Sequence, residues 1–262
     1  MPKVSVRDIE INYQEEGSGY PLILIHGLNG DLTGWVLVMP ELSKHYRTMA
    51  LDVRGHGGTS KPDQPYSIKG FSEDFYGFMN QLKIAKAHIL GLSMGGAIAQ
   101  QFALDHPEKI RSLVLVSTFS YVDENVHRAF TRLRQTLKDR GYPAFFDEVI
   151  KLAFTSQYIA ANPGPLAQLK EKRIRVNSPV AIGRATDACM AFNLKNEIAQ
   201  ISLPTLIVSG KEDIFTPIHL AEQIHRSIRD SEWKVLEGVG HNLYIEKPGQ
   251  LTRMTLDFLK SH

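Results

Sequence analysis

Residues 86–104 read K-A-H-I-L-G-L-S-M-G-G-A-I-A-Q-Q-F-A-L and contain a G-x-S-x-G pentapeptide at 91–95. The apolar run just before the pentapeptide is typical of a buried strand. After it, apolar residues recur at helical spacing without another glycine or proline beyond Gly96. A serine between a strand and a helix lies on a sharp turn that exposes its hydroxyl, and the flanking glycines avoid collisions there. The stretch predicts that Ser93 is a nucleophile. The alternative is a glycine-rich turn with an incidental serine.

Buried strands and helical stretches alternate on both sides of this turn. A hairpin of alternating polar and apolar residues opens the chain at 4–13, and a continuously apolar run follows at 21–25. Further strands are predicted at 47–51, 110–116 and 205–209, with a last strand at 233–236. Helical spacing is found at 33–42, 71–83, 217–228 and 250–259. This alternation predicts an α/β fold with a mostly parallel sheet that is covered by helices on both faces. Its active groups should lie at the carboxyl ends of the strands.

The segment from Phe119 to Asn193 has no strand-like run. It has four helical stretches instead, at roughly 124–140, 143–155, 164–176 and 179–190. We therefore predict three parts: a first core part, 1–118, a helical cap or lid, 119–193, and a second core part, 194–262. The cap is rich in lysine and arginine between 128 and 184. These cations indicate either a site biased towards anionic substrates or a solvated outer face, and the second interpretation is favoured.

Two further loops at strand ends contain Asp213 and His241. A serine hydroxyl needs a general base, and the base needs a partner that fixes its tautomer. The chain order Ser, Asp, His is the one expected when the nucleophile lies on a strand–turn–helix elbow. Taken alone, Asp213 could be a helix cap and His241 a loop histidine. Glu212 is the nearest competitor for the acid, but the fourth position of the G-x-x-D turn is expected to face the site.

Acyl transfer also requires hydrogen-bond donors for the developing oxyanion. The backbone N–H of Met94 follows the nucleophile at a helix N-terminus and is the first predicted donor. The second is the backbone N–H of Leu28, in the loop after the 21–25 strand. In the same loop, Asn29 is a weaker prediction for substrate contact, and His26 is interpreted as structural.

The remaining assignments concern the substrate pocket, the cysteine and the loop at 52–60. The predicted substrate-contacting residues, besides Asn29, are Trp35, Phe119, Phe154, Met190 and Leu243. Cys189 lies in an apolar helical context and is interpreted as a core thiol. The loop at 52–60 is interpreted as a bracing network, because no metal-ligand spacing supports a metal there. We expect no metal and no cofactor.

Composition limits the partners that the protein is expected to have. The net charge is +2, with 43% hydrophobic and 22% charged residues, and there is no basic run. We therefore expect no nucleic-acid and no membrane partner. One cysteine and an N-terminus without an apolar signal segment favour a cytoplasmic protein. A homodimer is compatible with the sequence.

Together, the elbow, the H-G loop, D-x-R-G-H-G-x-S at 52–60, the G-x-x-D turn and the final G-x-G-H resemble the α/β-hydrolase superfamily over essentially the whole chain. Within it the sequence is most similar to small-lidded carboxylesterases, 3-oxoadipate enol-lactonases and cofactor-free haloperoxidases. The resemblance implies an eight-stranded sheet, a helical cap after the sixth strand, and a small ester or lactone as substrate. A serine in the elbow argues against epoxide hydrolases and haloalkane dehalogenases. Hydrolysis of C–C bonds ranks second, and a ligand receptor built on the same fold is a weaker alternative.

Overall fold

One eight-stranded sheet runs through the centre of the computed structural model, which describes all residues from Met1 to His262. The strands are β1 (Lys3–Val6), β2 (Ile9–Glu16), β3 (Pro21–Ile25), β4 (Arg47–Leu51), β5 (Ala87–Leu92), β6 (Ile110–Val116), β7 (Thr205–Gly210) and β8 (Glu232–Leu236). Their spatial order is β1-β2-β4-β3-β5-β6-β7-β8. β2 pairs antiparallel with both β1 and β4, and every other pairing is parallel.

Ten α-helices surround the sheet or cover its end. They are α1 (Met39–Leu42), α2 (Ile68–Gln81), α3 (Met94–Asp105), α4 (Glu124–Ala153), α5 (Ser156–Ala161), α6 (Pro163–Val176), α7 (Pro179–Met190), α8 (Ile218–Ser227), α9 (Leu243–Glu246) and α10 (Pro248–Leu259). Successive side chains of a strand point to opposite faces of the sheet, so the apolar residues of β3, β5 and β6 pack into two separate cores. Ile23 and Ile89 belong to the larger core, whereas Leu24 and Leu90 belong to the smaller one. The predicted fold class is confirmed.

Helices α4 to α7 lie between β6 and β7, where the sequence predicted a helical cap. The chain enters and leaves this region at one place, because Tyr121 and Asn193 form an isolated antiparallel bridge. Helix α4 is bent at Gly141, whose φ of +79° interrupts the helix where the sequence predicted a helix end. Ser178 caps α7 by accepting a hydrogen bond from the N–H of Ala181, as its position before Pro179 predicted.

Two local predictions need correction. The segment 33–42, predicted as one helix, is a 3₁₀ turn over Leu32–Leu37 followed by α1, which has Pro40 in its first turn. Proline has no N–H to continue a preceding helix, so the two pieces stay separate. The short helices α5 and α9 were not predicted, because six or fewer residues are too few to reveal a helical period. No helix has both the length and the apolar character that a membrane crossing requires.

Candidate active site

Ser93 lies between the end of β5 and the first residue of α3. Its backbone has φ +54° and ψ −118°, a conformation that non-glycine residues rarely adopt and that is often retained for function. A Cβ on Gly95 would overlap the carbonyl oxygen of Ile25, and a Cβ on Gly91 would overlap that of Gly95. The turn is fixed from the neighbouring strand, since the N–H of Ser93 donates to the carbonyl of Val116 at 2.8 Å. The two glycines and this bond hold the serine in its strained position.

Asp213 and His241 follow β7 and β8 and are in contact. The Nδ1 of His241 donates to Oδ2 of Asp213 at 2.8 Å, and both side chains are buried. The hydroxyl of Thr216 donates to the same oxygen at 2.7 Å. The other oxygen, Oδ1, accepts from the N–H groups of Phe215 and Thr216 at 2.9 and 2.8 Å. Asp213 therefore holds the turn before α8 and orients His241 at once, whereas α8 itself has no side-chain cap, so the helix-cap alternative is not what the structure shows.

Glu212, the competing carboxylate, points away from this arrangement. Its side chain is exposed and forms no hydrogen bond or ion pair with the protein, whereas its backbone N–H donates to the carbonyl of Val239 at 3.1 Å. The turn thus directs Asp213 inwards and Glu212 into solvent.

A cavity of about 270 Å³ lies between the strand ends and the cap, and Ser93 and His241 both line it. Its volume is near the lower end of the range for small-molecule sites. The lining is mostly apolar and comes from core loops and from the cap: Gly27, Leu28, Asn29, Gly30, Thr33, Gly34, Val36, Leu37, Leu92, Phe146, Val149, Ile150, Ala153, Phe154, Leu169, Lys172, Arg173, Phe215, Asn242, Tyr244 and Ile245. Ser93 and His241 are thus accessible to a small molecule in this cavity.

The two predicted oxyanion donors have backbone N–H groups without a protein acceptor. Met94 is the first residue of α3, where an N–H has no intrahelical partner. Leu28 lines the cavity beside Ser93, because a Cβ on the preceding Gly27 would lie only 3.1 Å from the Cβ of Ser93. The two N–H groups are therefore available to a reacting oxygen.

Two buried histidines brace this loop without taking part in the cavity. Nε2 of His26 accepts from the N–H of Val53 at 3.0 Å, and Nε2 of His56 accepts from the N–H of Asn29 at 3.3 Å. Burial lowers the pKa of His26 to about 4 and that of His56 to about 3. Both rings are neutral at pH 7, so their Nε2 atoms can accept these bonds. This agrees with the structural role predicted for His26.

The residues predicted to contact substrate divide into two groups. Phe154 and Asn29 line the cavity. The other four, which do not line it, are Trp35, Phe119, Met190 and Leu243. Trp35 packs 5.1 Å from the ring of Tyr244 in the smaller core, to which Leu243 also belongs. Phe119 and Met190 pack with the larger core. These four residues thus pack in or against the two cores and do not line this cavity.

Part of the lining was missed although the sequence contains a signal for it. Phe146, Val149, Ile150 and Ala153 follow the i, i+3, i+4, i+7 pattern of one helix face, and all four line the cavity. This face of α4 was recognised as helical but not as part of the site. No sequence pattern marked Val36 and Leu37, which are exposed apolar residues.

Most cap cations form ion pairs. Eight of the eleven between 128 and 184 have carboxylate partners: Arg128, Arg132, Arg134, Lys151, Lys170, Arg173, Arg175 and Arg184. Only Lys172 and Arg173 line the cavity, and no Asp or Glu does. Arg173 is buried against Asp31. Burial alone would raise the pKa of Asp31, but the charges of Arg173 and Lys172 and a hydrogen bond from Thr33 hold it below its usual value. The outer-face interpretation therefore fits most of these cations.

The described residues contain no group of three or more His, Cys, Asp or Glu side chains arranged to hold a metal ion. The only cysteine, Cys189, is free and buried, and burial raises the pKa of its thiol. It packs in the larger core, where the sequence predicted it.

Fold, elbow and cavity together define a hydrolase of the α/β class. Residues 20–248 match the family model described as the alpha/beta hydrolase fold, and the chain belongs to this family.

Several similar proteins match nearly the whole chain. A 2-hydroxy-6-oxo-2,4-heptadienoate hydrolase of Pseudomonas putida is 27% identical over 266 residues, covering 96% of this chain and 93% of its own. A Stutzerimonas stutzeri protein named "Putative carbamate hydrolase RutD" is 25% identical over 253 residues, which cover 95% of each chain. The crystal structure of the enol-lactonase from Burkholderia xenovorans LB400 superposes with a TM-score of 0.93 at 27% identity, covering 99% of this chain and all of that one. The resemblance predicted from the motifs is confirmed.

Proposed function

We propose that this protein is a serine hydrolase of carboxylic esters or lactones, in which Ser93, His241 and Asp213 form the catalytic triad. The observation that carries the proposal is the buried 2.8 Å hydrogen bond from His241 to Asp213, at a cavity that His241 shares with the strained Ser93. An oriented histidine base and a serine hydroxyl at one cavity are the groups that acyl transfer needs. The similarity to an enol-lactonase over 99% of the chain supports the lactone part.

In the proposed reaction, the hydroxyl oxygen of Ser93 attacks the substrate carbonyl while Nε2 of His241 takes the hydroxyl proton. The negative oxygen that forms is stabilised by the N–H groups of Leu28 and Met94. His241 then gives its proton to the leaving alcohol oxygen, and the acyl group remains on Ser93. In the second half, water gives a proton to His241 and attacks the acyl carbon, and Ser93 leaves with that proton. For a lactone, the alcohol and the acid are ends of one product.

A C–C bond hydrolase is the second candidate, because the Pseudomonas putida dienoate hydrolase is a relative of similar identity. The oxyanion loop reads His26-Gly27-Leu28-Asn29-Gly30. The serine- and glycine-rich oxyanion loop that the C–C hydrolases usually have is missing here, which favours the ester or lactone reaction.

The test combines labelling with a substrate panel. A fluorophosphonate should add one phosphonyl group to the peptide that contains Ser93, and prior incubation with a slow ester substrate should protect it. The panel should contain a p-nitrophenyl ester series, a five-membered lactone, a carbamate and a dienoate of the C–C hydrolase type. We expect sustained turnover of esters or lactones at least about tenfold above the other two. Faster turnover of the dienoate would select the second candidate. A single labelling event without turnover of any substrate would indicate a receptor.

We further propose a small-molecule substrate and no cofactor, since the reaction needs only protein groups and water. A reducing, cytoplasmic setting fits a single buried thiol.

A further inference from the structure

The loop that contains the proposed oxyanion donor is tied to the cap by a buried hydrogen-bond network. The tie begins at Asn29, the residue after Leu28, whose φ of +63° is in the left-handed region. Its side-chain oxygen, Oδ1, accepts from the hydroxyl of Tyr142 and from Nδ2 of Asn177 at 3.2 Å. Nδ2 of Asn177 also donates to the hydroxyl oxygen of Tyr142 at 2.8 Å. All three side chains are buried.

The two partners of Asn29 come from bends in the cap. Tyr142 follows Gly141, where α4 bends, and Asn177 lies between α6 and α7. Burial raises the pKa of Tyr142 to about 12, so its hydroxyl keeps the proton that it donates to Asn29. A buried polar network of this kind has strong geometric requirements, because an unpaired buried group costs about 1–3 kcal/mol. The cap thus fixes Asn29 in one orientation.

The core also holds Asn29, through its backbone N–H. The N–H of Asn29 donates to His56, and the N–H of Gly30 donates to the carbonyl of Gly27 at 3.0 Å. Two residues further on, Asp31 pairs with the buried Arg173 of the cap. Oxyanion donors work only when they are held in place before the charge develops.

We infer that Tyr142 is a positioning residue for the oxyanion hole: through Asn29, it holds the Leu28 N–H in the orientation that receives the oxyanion at Ser93. The cap therefore has a second role besides enclosing the substrate, since it completes the geometry of a loop in the core. This inference rests on the proposed function, because it concerns the donor of that reaction.

The test is the Tyr142→Phe variant, which removes the hydroxyl and keeps the ring that packs 5.8 Å from Phe145. Full removal of one oxyanion donor lowers kcat by about 10²–10³-fold, so a loosened donor should lower it by about tenfold. KM for the best ester should stay within about twofold, because the donor acts mainly on the transition state. The inhibition constant of a trifluoromethyl ketone, which forms an oxyanion on the serine, should rise about as much as kcat/KM falls.

Tyr158→Phe is the matched control. Tyr158 is another cap tyrosine, stacked 5.0 Å from Phe154, and its hydroxyl forms no hydrogen bond with the protein. Its kcat and its trifluoromethyl ketone constant should stay within about twofold of wild type. If Tyr142→Phe does not fold, as judged by its thermal unfolding, Asn177→Ala tests the same network from its other end and should lower kcat about three- to tenfold.

The outcomes separate this inference from the proposed function. Ester turnover that needs Ser93 but is unchanged in both Tyr142→Phe and Asn177→Ala would overturn the inference and leave the function standing. An increase in KM alone, with kcat and the ketone constant unchanged, would also overturn it, since Tyr142 would then act on substrate binding. Failure of the wild-type protein to hydrolyse any ester or lactone would overturn both.

Discussion

Asp213→Asn is the substitution whose effect follows most directly from the geometry. Asparagine has the shape of aspartate, and its oxygen can still accept from the N–H groups of Phe215 and Thr216, which now donate to Oδ1. The other end becomes an NH₂ group, which faces Nδ1 of His241 at 2.8 Å in the present structure. Two donors cannot share a hydrogen bond, so Nδ1 must lose its proton and Nε2 must take one. In that tautomer His241 cannot accept the proton of Ser93.

The expected loss is large for activity and small for stability. In the serine-protease triad the same substitution lowers kcat by about 10⁴-fold, so we expect a loss of about 10³–10⁴ in kcat here. This corresponds to about 4–5.5 kcal/mol of transition-state stabilisation. The free energy of unfolding should change by less than about 1 kcal/mol, because the turn keeps its two backbone bonds.

The assay is steady-state hydrolysis of a p-nitrophenyl ester, with urea unfolding of the same preparations. Glu212→Gln is the matched control, since its carboxylate is exposed and has no partner; its kcat should stay within about twofold of wild type. The reasoning would be refuted if Asp213→Asn kept more than a tenth of the wild-type kcat, or if Glu212→Gln lost more activity than Asp213→Asn.

Three other predictions concern stability and substrate charge. Burial lowers the pKa values of His26 and His56, so the unfolded state binds more protons than the native state below about pH 6.5. Each histidine should therefore lower the free energy of unfolding by up to about 1.4 kcal/mol per pH unit as the pH falls towards 4. His56→Gln should reduce this pH dependence of the free energy of unfolding in urea titrations at pH 7, 6 and 5. Gly95→Ala places a Cβ against a backbone carbonyl and should lower the free energy of unfolding, measured in urea, by at least about 2 kcal/mol. A change below about 0.5 kcal/mol would contradict the tight packing of the elbow. Because Lys172 lines the cavity and no carboxylate does, Lys172→Gln should raise kcat/KM for an acylcholine about two- to fivefold relative to its neutral isostere, whereas Lys170→Gln, outside the cavity and paired, should not.

Most of the fold could be predicted because its signals are local. Each buried strand is a short apolar run, and each long helix has a clear period, so element type and order follow from the sequence. The bend at Gly141 was also marked by its residue type. The break within 33–42 was not predicted, because a periodic apolar pattern fits both a helix and a 3₁₀ turn. Pro40 decides between the two only in its structural context.

The polar part of the candidate site was easier to predict than its apolar lining. Ser93, Asp213 and His241 follow β5, β7 and β8, and parallel strands bring their carboxyl ends to one edge of the sheet. An apolar residue gives no comparable signal: Trp35 and Phe154 look alike in the sequence, but only Phe154 faces the cavity. The difference depends on how the cap packs on the core, which involves contacts between residues more than a hundred positions apart, such as Asn29 and Tyr142.

The measurement that bears most directly on the proposed reaction is the activity of Ser93→Ala on the best ester or lactone of the panel, followed by mass spectrometry after fluorophosphonate treatment. We predict that kcat falls by at least about 10⁴-fold, that labelling disappears, and that the thermal unfolding temperature stays within a few degrees of wild type. Ser117→Ala should retain both activity and labelling, because this buried serine ends the neighbouring strand without lining the cavity. Turnover of Ser93→Ala near the wild-type rate, or a label on another residue, would contradict the assignment of Ser93 as the nucleophile.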